Sequence, residues 1–274
     1  MSFEVVPGSP ASPVVLHVPH ASTAIPADVR RDIALGDEGL AAELAAMTDA
    51  GTDVLARAAA DEAGERPWLF VNRLSRLVVD PERFPDEREV MEQVGMGAVY
   101  TRTSRRERLR AADAELREGL LTRFFHPYAT ALAELVDARL DATGRAAIID
   151  VHSYPHEPLP YELHPHDERP EICIGTDDVH TPPWLRVAAA AAFGARWSVA
   201  CDTAFRGTYV PLRHFGVDRR VVSVMLELRR DVYLHQDGSL QEIVVRRLAQ
   251  ATAELIDAAG NPSPSGTSEG TDEA

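Results

Sequence analysis

Four short apolar runs in this chain each stop on polar residues of a kind that a buried strand ordinarily avoids. "VVLHVPH" reaches His17 and His20, and "WLFVNRLSR" reaches Asn72, Arg73 and Arg76. "AAIIDVHSY" reaches Asp150 and His152, and "VSVMLELRR" carries Glu227 inside the run itself. Between these runs lie stretches with apolar residues at helical spacing: 37–63, 110–142, 182–195 and 239–259. Strands alternating with helices imply βαβ units, hence a mostly parallel sheet with helices on both faces. In such a sheet the carboxyl ends of the strands share one edge, and ligands bind along it. The polar residues at those ends can therefore converge.

Other segments read more simply. "PEICIGTDD" predicts a fourth strand, and "WSVACDTAFRG" a strand running into a loop. Residues 81–108, rich in Arg and Glu, read as an irregular excursion. Pro127 should interrupt the long helical stretch, because proline lacks the amide hydrogen that a helix interior needs. No repeat or linker divides the chain, so residues 1–260 read as one domain. The Gly, Ser, Pro and acid composition of 261–274 predicts a disordered tail.

Charge and composition remove whole classes of function. The net charge of −15 is the wrong sign for a nucleic-acid surface. Only Cys173 and Cys201 are present, which excludes both a disulfide scaffold and a thiolate metal cluster. Any metal would need His and carboxylate ligands. No uncharged apolar stretch approaches the roughly 18 residues of a membrane span, and "MSFEVVPGSP" lacks the features of a secretory signal. A cytoplasmic protein is the expectation. The basic residues are arginines, suited to bidentate capture of carboxylates, although genome composition would give the same bias.

Two histidines, several carboxylates and nearby arginines are the parts of a hydrolytic zinc site. Each also has a plainer reading. A strand-end histidine can be structural, Asp150 can cap a loop, and Glu227 can pair with Arg229 or Arg76. Coincidence favours function: a carboxylate inside "VSVMLELR" is costly to bury, and such residues are often functional.

"HVPHAS", "MTDAGTD", "VNRLSRLVVDPERF", "DVHSYP", "CIGTDD", "FRGTYVP" and "VMLELRRDVYL", in that order, resemble the N-formylglutamate amidohydrolase family. That family is in turn similar to zinc carboxypeptidases. The resemblance implies a single-domain, three-layer phosphorylase/hydrolase-like fold and metal-dependent amide hydrolysis. It places His20 of "PHAS" and His152 of "HSY" on one zinc ion, with His20 preferred over His17. Where zinc carboxypeptidases have a glutamate three residues after the first histidine, this chain has Thr23. The third ligand must come from elsewhere, and Asp49 is the choice.

The same resemblance makes Glu227 of "ELR" the general base. The expected oxyanion donor is zinc itself or an arginine such as Arg73, with Asn72, Arg76, Arg206 and Arg213 as substrate-binding residues. The expected substrate is an N-acyl amino acid, N-formylglutamate first, cleaved to glutamate and formate. Another N-acyl amino acid or a short peptide is the alternative, because the loop "HEPLPYELHPHDERP" could reshape the pocket. A non-catalytic binding protein on the same scaffold is the third reading. The sequence carries no signal of oligomeric state.

Overall fold

The computed structural model describes residues 2–261, in which the apolar runs become strands of one sheet. These are β1 (Phe3–Val6), β2 (Val14–Val18), β3 (Trp68–Asn72), β4 (Ala146–Tyr154), β5 (Ile172–Gly175), β6 (Val199–Cys201) and β7 (Val221–Arg229). Their order is β1-β3-β2-β4-β7-β5-β6. β2 pairs in parallel with β3 and β4, β4 with β7, and β5 with β6. β1 runs antiparallel to β3, and β5 antiparallel to β7. The sheet is thus mixed but mostly parallel, as the strand–helix alternation predicts. β1 was not anticipated, because a four-residue edge strand is too short to show a period.

Every residue of β2 and β4 is buried, as expected of strands covered on both faces. Alternation divides their side chains between two layers. Leu16, Ala147, Ile149 and Val151 face a core shared with the helices Thr52–Glu62, Pro183–Gly194 and Glu242–Gly260. Val15, Phe70, Ala146 and Ile148 face the other way, where Tyr128, Leu132, Val136 and Leu140 of the helix His126–Thr143 pack. Asp150 and His152 share the phase of Ala146 and Ile148, so they belong to this second face. Register brings His17 beside Asp150 and His152 beside Glu227.

The long helical stretch is not interrupted at Pro127 as expected. The chain stays helical from Ala114 to Thr143, with a π turn over Leu121–Phe125 just before the proline. Such a turn relieves the helical ladder where Pro127 cannot donate. The stretch expected as one or two helices over 37–63 is two, Asp37–Met47 and Thr52–Glu62. The excursion over 81–108 is largely irregular, yet it buries Met91, Met96, Tyr100 and Thr103 against the domain. Among the described residues, no helix is long and apolar enough to cross a membrane. The tail expected to be disordered lies outside the described residues, except for Asn261.

Candidate active site

A cavity of about 310 Å³ opens over the carboxyl ends of β4 and β7, and His20, Asp49, His152 and Glu227 all line it. Four separate segments deliver these groups. His20 follows β2, in a loop fastened by Asn72, whose Nδ2 donates to the Pro19 carbonyl at 2.9 Å. Asp49 follows the helix Asp37–Met47, and its amide donates to the His20 carbonyl at 3.0 Å. His152 and Glu227 come from adjacent positions on β4 and β7.

Nδ1 of His20 lies 3.2 Å from Nδ1 of His152. Oδ2 of Asp49 lies 3.2 Å from the His152 Nδ1 and 3.7 Å from the His20 Nδ1. All three residues are buried.

The outward-facing atoms are held in turn. Nε2 of His20 meets Oδ1 of Asp80 at 2.9 Å. Nε2 of His152 lies 3.1 Å from both Asp150 Oδ2 and Glu82 Oε2, although neither contact is well aimed as a hydrogen bond. Oδ1 of Asp49 accepts from Arg230 Nη2 at 3.1 Å, and Arg230 also donates to Ser153 and to the Ala46 carbonyl. Carboxylates behind the imidazoles and a guanidinium behind the aspartate are placed as the outer partners of metal ligands are in metal sites generally. Among the described residues, two further groups of candidate ligand atoms lie beside this one, His17–Glu82–Asp150 and His20–Asp80–Glu82, the second sharing His20. Of these, His17 is engaged on both ring nitrogens, with Asp150 at 2.9 Å and Tyr128 at 2.6 Å. It supports Asp150 from behind.

The charges follow from this arrangement. Burial opposes ionisation of Asp49, yet the two histidines and Arg230 hold its carboxyl below the ordinary range. Burial likewise works against a charged His152, but Asp150 and Glu82 hold its pKa well above the usual value. Glu227 goes the other way. Burial pushes its carboxyl up to about 8, and its Oε2 is buried with no hydrogen-bond partner among the described residues.

The expected arginines divide sharply. Arg76 lines the cavity, with its Nε and Nη2 donating to Asp80 and its Nε also reaching the Tyr100 hydroxyl. Arg206 stands at the rim, 51% exposed and paired with Asp167 at 2.8 Å. Arg73, expected as an oxyanion donor, is 57% exposed and pairs with Glu4 outside the cavity. Arg213 pairs with Asp137, also outside it. Asn72 shapes the His20 loop and does not line the cavity. Exposed arginines satisfy themselves with the nearest surface acid, which sequence spacing does not reveal.

The sequence reading missed Asp80, Glu82, Arg83, Tyr128 and Arg230. For Asp80, Glu82 and Arg83 the available signal was "VVDPERF", in which acids and an arginine directly follow an apolar run.

Residues 12–234 match the family model described as N-formylglutamate amidohydrolase. The fold is similar to that of an N-formylglutamate amidohydrolase from Ralstonia eutropha JMP134, with a TM-score of 0.75 and 20% identity over 94% of this chain and 97% of that one. It is also similar to a gene product from Agrobacterium tumefaciens, with a TM-score of 0.69 and 22% identity over 94% of each chain. At such identities the likeness concerns the fold alone. No curated protein matches the sequence.

Proposed function

Since this chain belongs to the N-formylglutamate amidohydrolase family, we propose that it hydrolyses the amide of an N-acyl amino acid using one zinc ion held by His20, Asp49 and His152. The observation that carries this reading is the convergence of two buried imidazole nitrogens and a carboxylate oxygen from three segments. Two Nδ1 lone pairs opposed at 3.2 Å repel unless a proton or a cation lies between them. Two nitrogen donors and one oxygen donor in a buried set suit a catalytic zinc. When bound, the ion supplies a Lewis acid that makes water nucleophilic near neutral pH.

The chain's own residues do the rest. Asp80 and Asp150 favour protons on the Nε2 atoms, which leaves both Nδ1 atoms as donors of electron pairs. Arg230 turns one oxygen of Asp49 outward and leaves the other for the site. Glu227, beside His152 and with an unpartnered oxygen, takes the proton of the attacking water and returns it to the leaving amine. Arginine on the cavity wall binds the carboxylate of the substrate.

N-formylglutamate, the compound in the family name, is the reference substrate. The deciding experiment is elemental analysis of the purified protein together with turnover of a panel of N-acyl amino acids. About one zinc per chain with amide cleavage supports the reading. A protein that binds N-acyl amino acids but neither retains metal nor cleaves them would be a binding protein on this scaffold.

A further inference from the structure

Beside its polar groups the cavity is lined by Phe84, Phe125, Phe205, Val210, Leu212 and Phe215. Phe84, Phe205 and Phe215 are only half-buried, and Leu212 is 40% exposed. The rings are also fixed in place. Phe84 packs edge-on against Phe215 with centroids 5.7 Å apart, and Phe205 against Tyr154 at 5.3 Å. A preformed apolar wall left partly open to water is what a ligand's apolar group covers on binding.

The charges of the cavity set a second limit. Arg76 is committed to Asp80 and Tyr100, and Arg230 to Asp49 and Ser153. Arg206 is exposed and already paired, so a contact there is weak and screened. Arg83 differs. Its Nε is buried with no hydrogen-bond partner among the described residues, and its nearest acids are Asp80 at 3.6 Å and Glu89 at 3.9 Å. Arg83 faces these two acids only at long range and so keeps an N–H for one carboxylate. Asp49, Asp80, Glu82, Asp150 and Glu227 line the same cavity and would repel a second.

Resting on the amidohydrolase reading, we propose that the preferred substrate has a single carboxylate. It is an N-acyl amino acid with an aromatic or large aliphatic side chain, which lies against Phe84, Phe205, Leu212 and Phe215 while its carboxylate meets Arg83. The two carboxylates of N-formylglutamate fit this surface less well, because one would face either aromatic rings or acids.

Initial rates of the zinc-loaded protein on N-formyl-L-phenylalanine, N-formyl-L-leucine and N-formyl-L-glutamate test this. The kcat/KM for the phenylalanine compound should exceed that for the glutamate compound by about tenfold or more, the discrimination that a shaped apolar pocket provides. Leu212→Asp, at an exposed position that should leave folding intact, should shrink that ratio about tenfold. Equal or better turnover of N-formylglutamate overturns the proposal.

Failure to cleave any of the three would count against the amidohydrolase reading. The apolar wall is then judged by calorimetric binding of the same compounds to zinc-loaded Glu227→Gln. Tighter binding of the phenylalanine compound upholds the wall, and tighter binding of the glutamate compound overturns it.

Discussion

The imidazoles of His20 and His152 meet Nδ1 to Nδ1 at 3.2 Å, although 132 positions separate them in the chain. Behind each ring stands a carboxylate, Asp80 for His20 and Asp150 for His152. With a proton on each outer nitrogen, two lone pairs would oppose each other at the centre. This relationship organises the site, and it makes the first prediction direct. His152→Ala should abolish retention of about one zinc per chain, measured by elemental analysis after dialysis. Full retention would remove His152 from the metal site.

Asp80 has two duties, holding His20 and pairing with Arg76. Asp80→Asn should therefore weaken zinc binding by about 10- to 100-fold, the usual effect of losing an outer partner. It should also lower thermal stability, because a buried arginine loses its counter-charge. Competition with a chelator reads the first effect and thermal unfolding the second. Unchanged zinc affinity would make Asp80 a partner of Arg76 alone.

His17 gives a pH dependence with a definite sign. Burial works against its charge, yet Asp150 and Glu82 raise its pKa from 6.5 to about 9. A group whose folded pKa is raised stabilises fully below its unfolded pKa and loses that contribution as pH climbs through the folded one. The contribution should be intact at pH 6, fade between about 6.5 and 9, and be gone above. A shift of this size corresponds to something on the order of 3 kcal/mol. Denaturant unfolding of wild type and His17→Gln should show a gap that narrows across this window. A gap independent of pH would mean that His17 acts only through packing and neutral hydrogen bonds.

Strand ends were legible in the sequence because a buried strand is a continuous apolar run, and a polar residue interrupting it is conspicuous. That is how His20, His152 and Glu227 came to be picked out, and the structure brings them to one cavity. Asp80, Glu82 and Arg83 also follow an apolar run, but the segment they open has neither helical nor strand period. Their convergence depends on how an irregular loop folds back over the sheet edge. Arg73 and Arg213 show the converse. Arginine is attractive on chemical grounds as a carboxylate clamp, but a surface glutamate or aspartate within reach of a long side chain captured each one. The antiparallel turn of β5 onto β7 was equally hidden, since direction within a sheet leaves no mark in a four-residue run.

Glu227→Gln separates catalysis from structure. The sequence left open a buried ion pair with Arg229 or Arg76, but those arginines are bonded to Asp231 and Asp80. Glu227 itself keeps an oxygen unpartnered. Gln is nearly isosteric, so β7 should pack as before, while its amide cannot accept a proton from water. Loss of a general base typically costs about 10² to 10⁴ in rate.

Stability should move in the opposite direction to activity. Burial raises the carboxyl pKa from 4.5 to about 8, so the folded protein takes up a proton that the unfolded chain releases. The resulting penalty on folding is absent below about pH 4.5, grows as pH rises toward 8, and is complete above it. Gln lacks the penalty. In the presence of a chelator, unfolding of the variant should match wild type near pH 5 and exceed it at pH 8.5. Zinc-loaded samples should meanwhile show slow turnover of N-acyl amino acids with zinc fully retained. Near-normal turnover combined with a marked loss of stability would make Glu227 a structural residue, and the proposed proton transfer would fall with it.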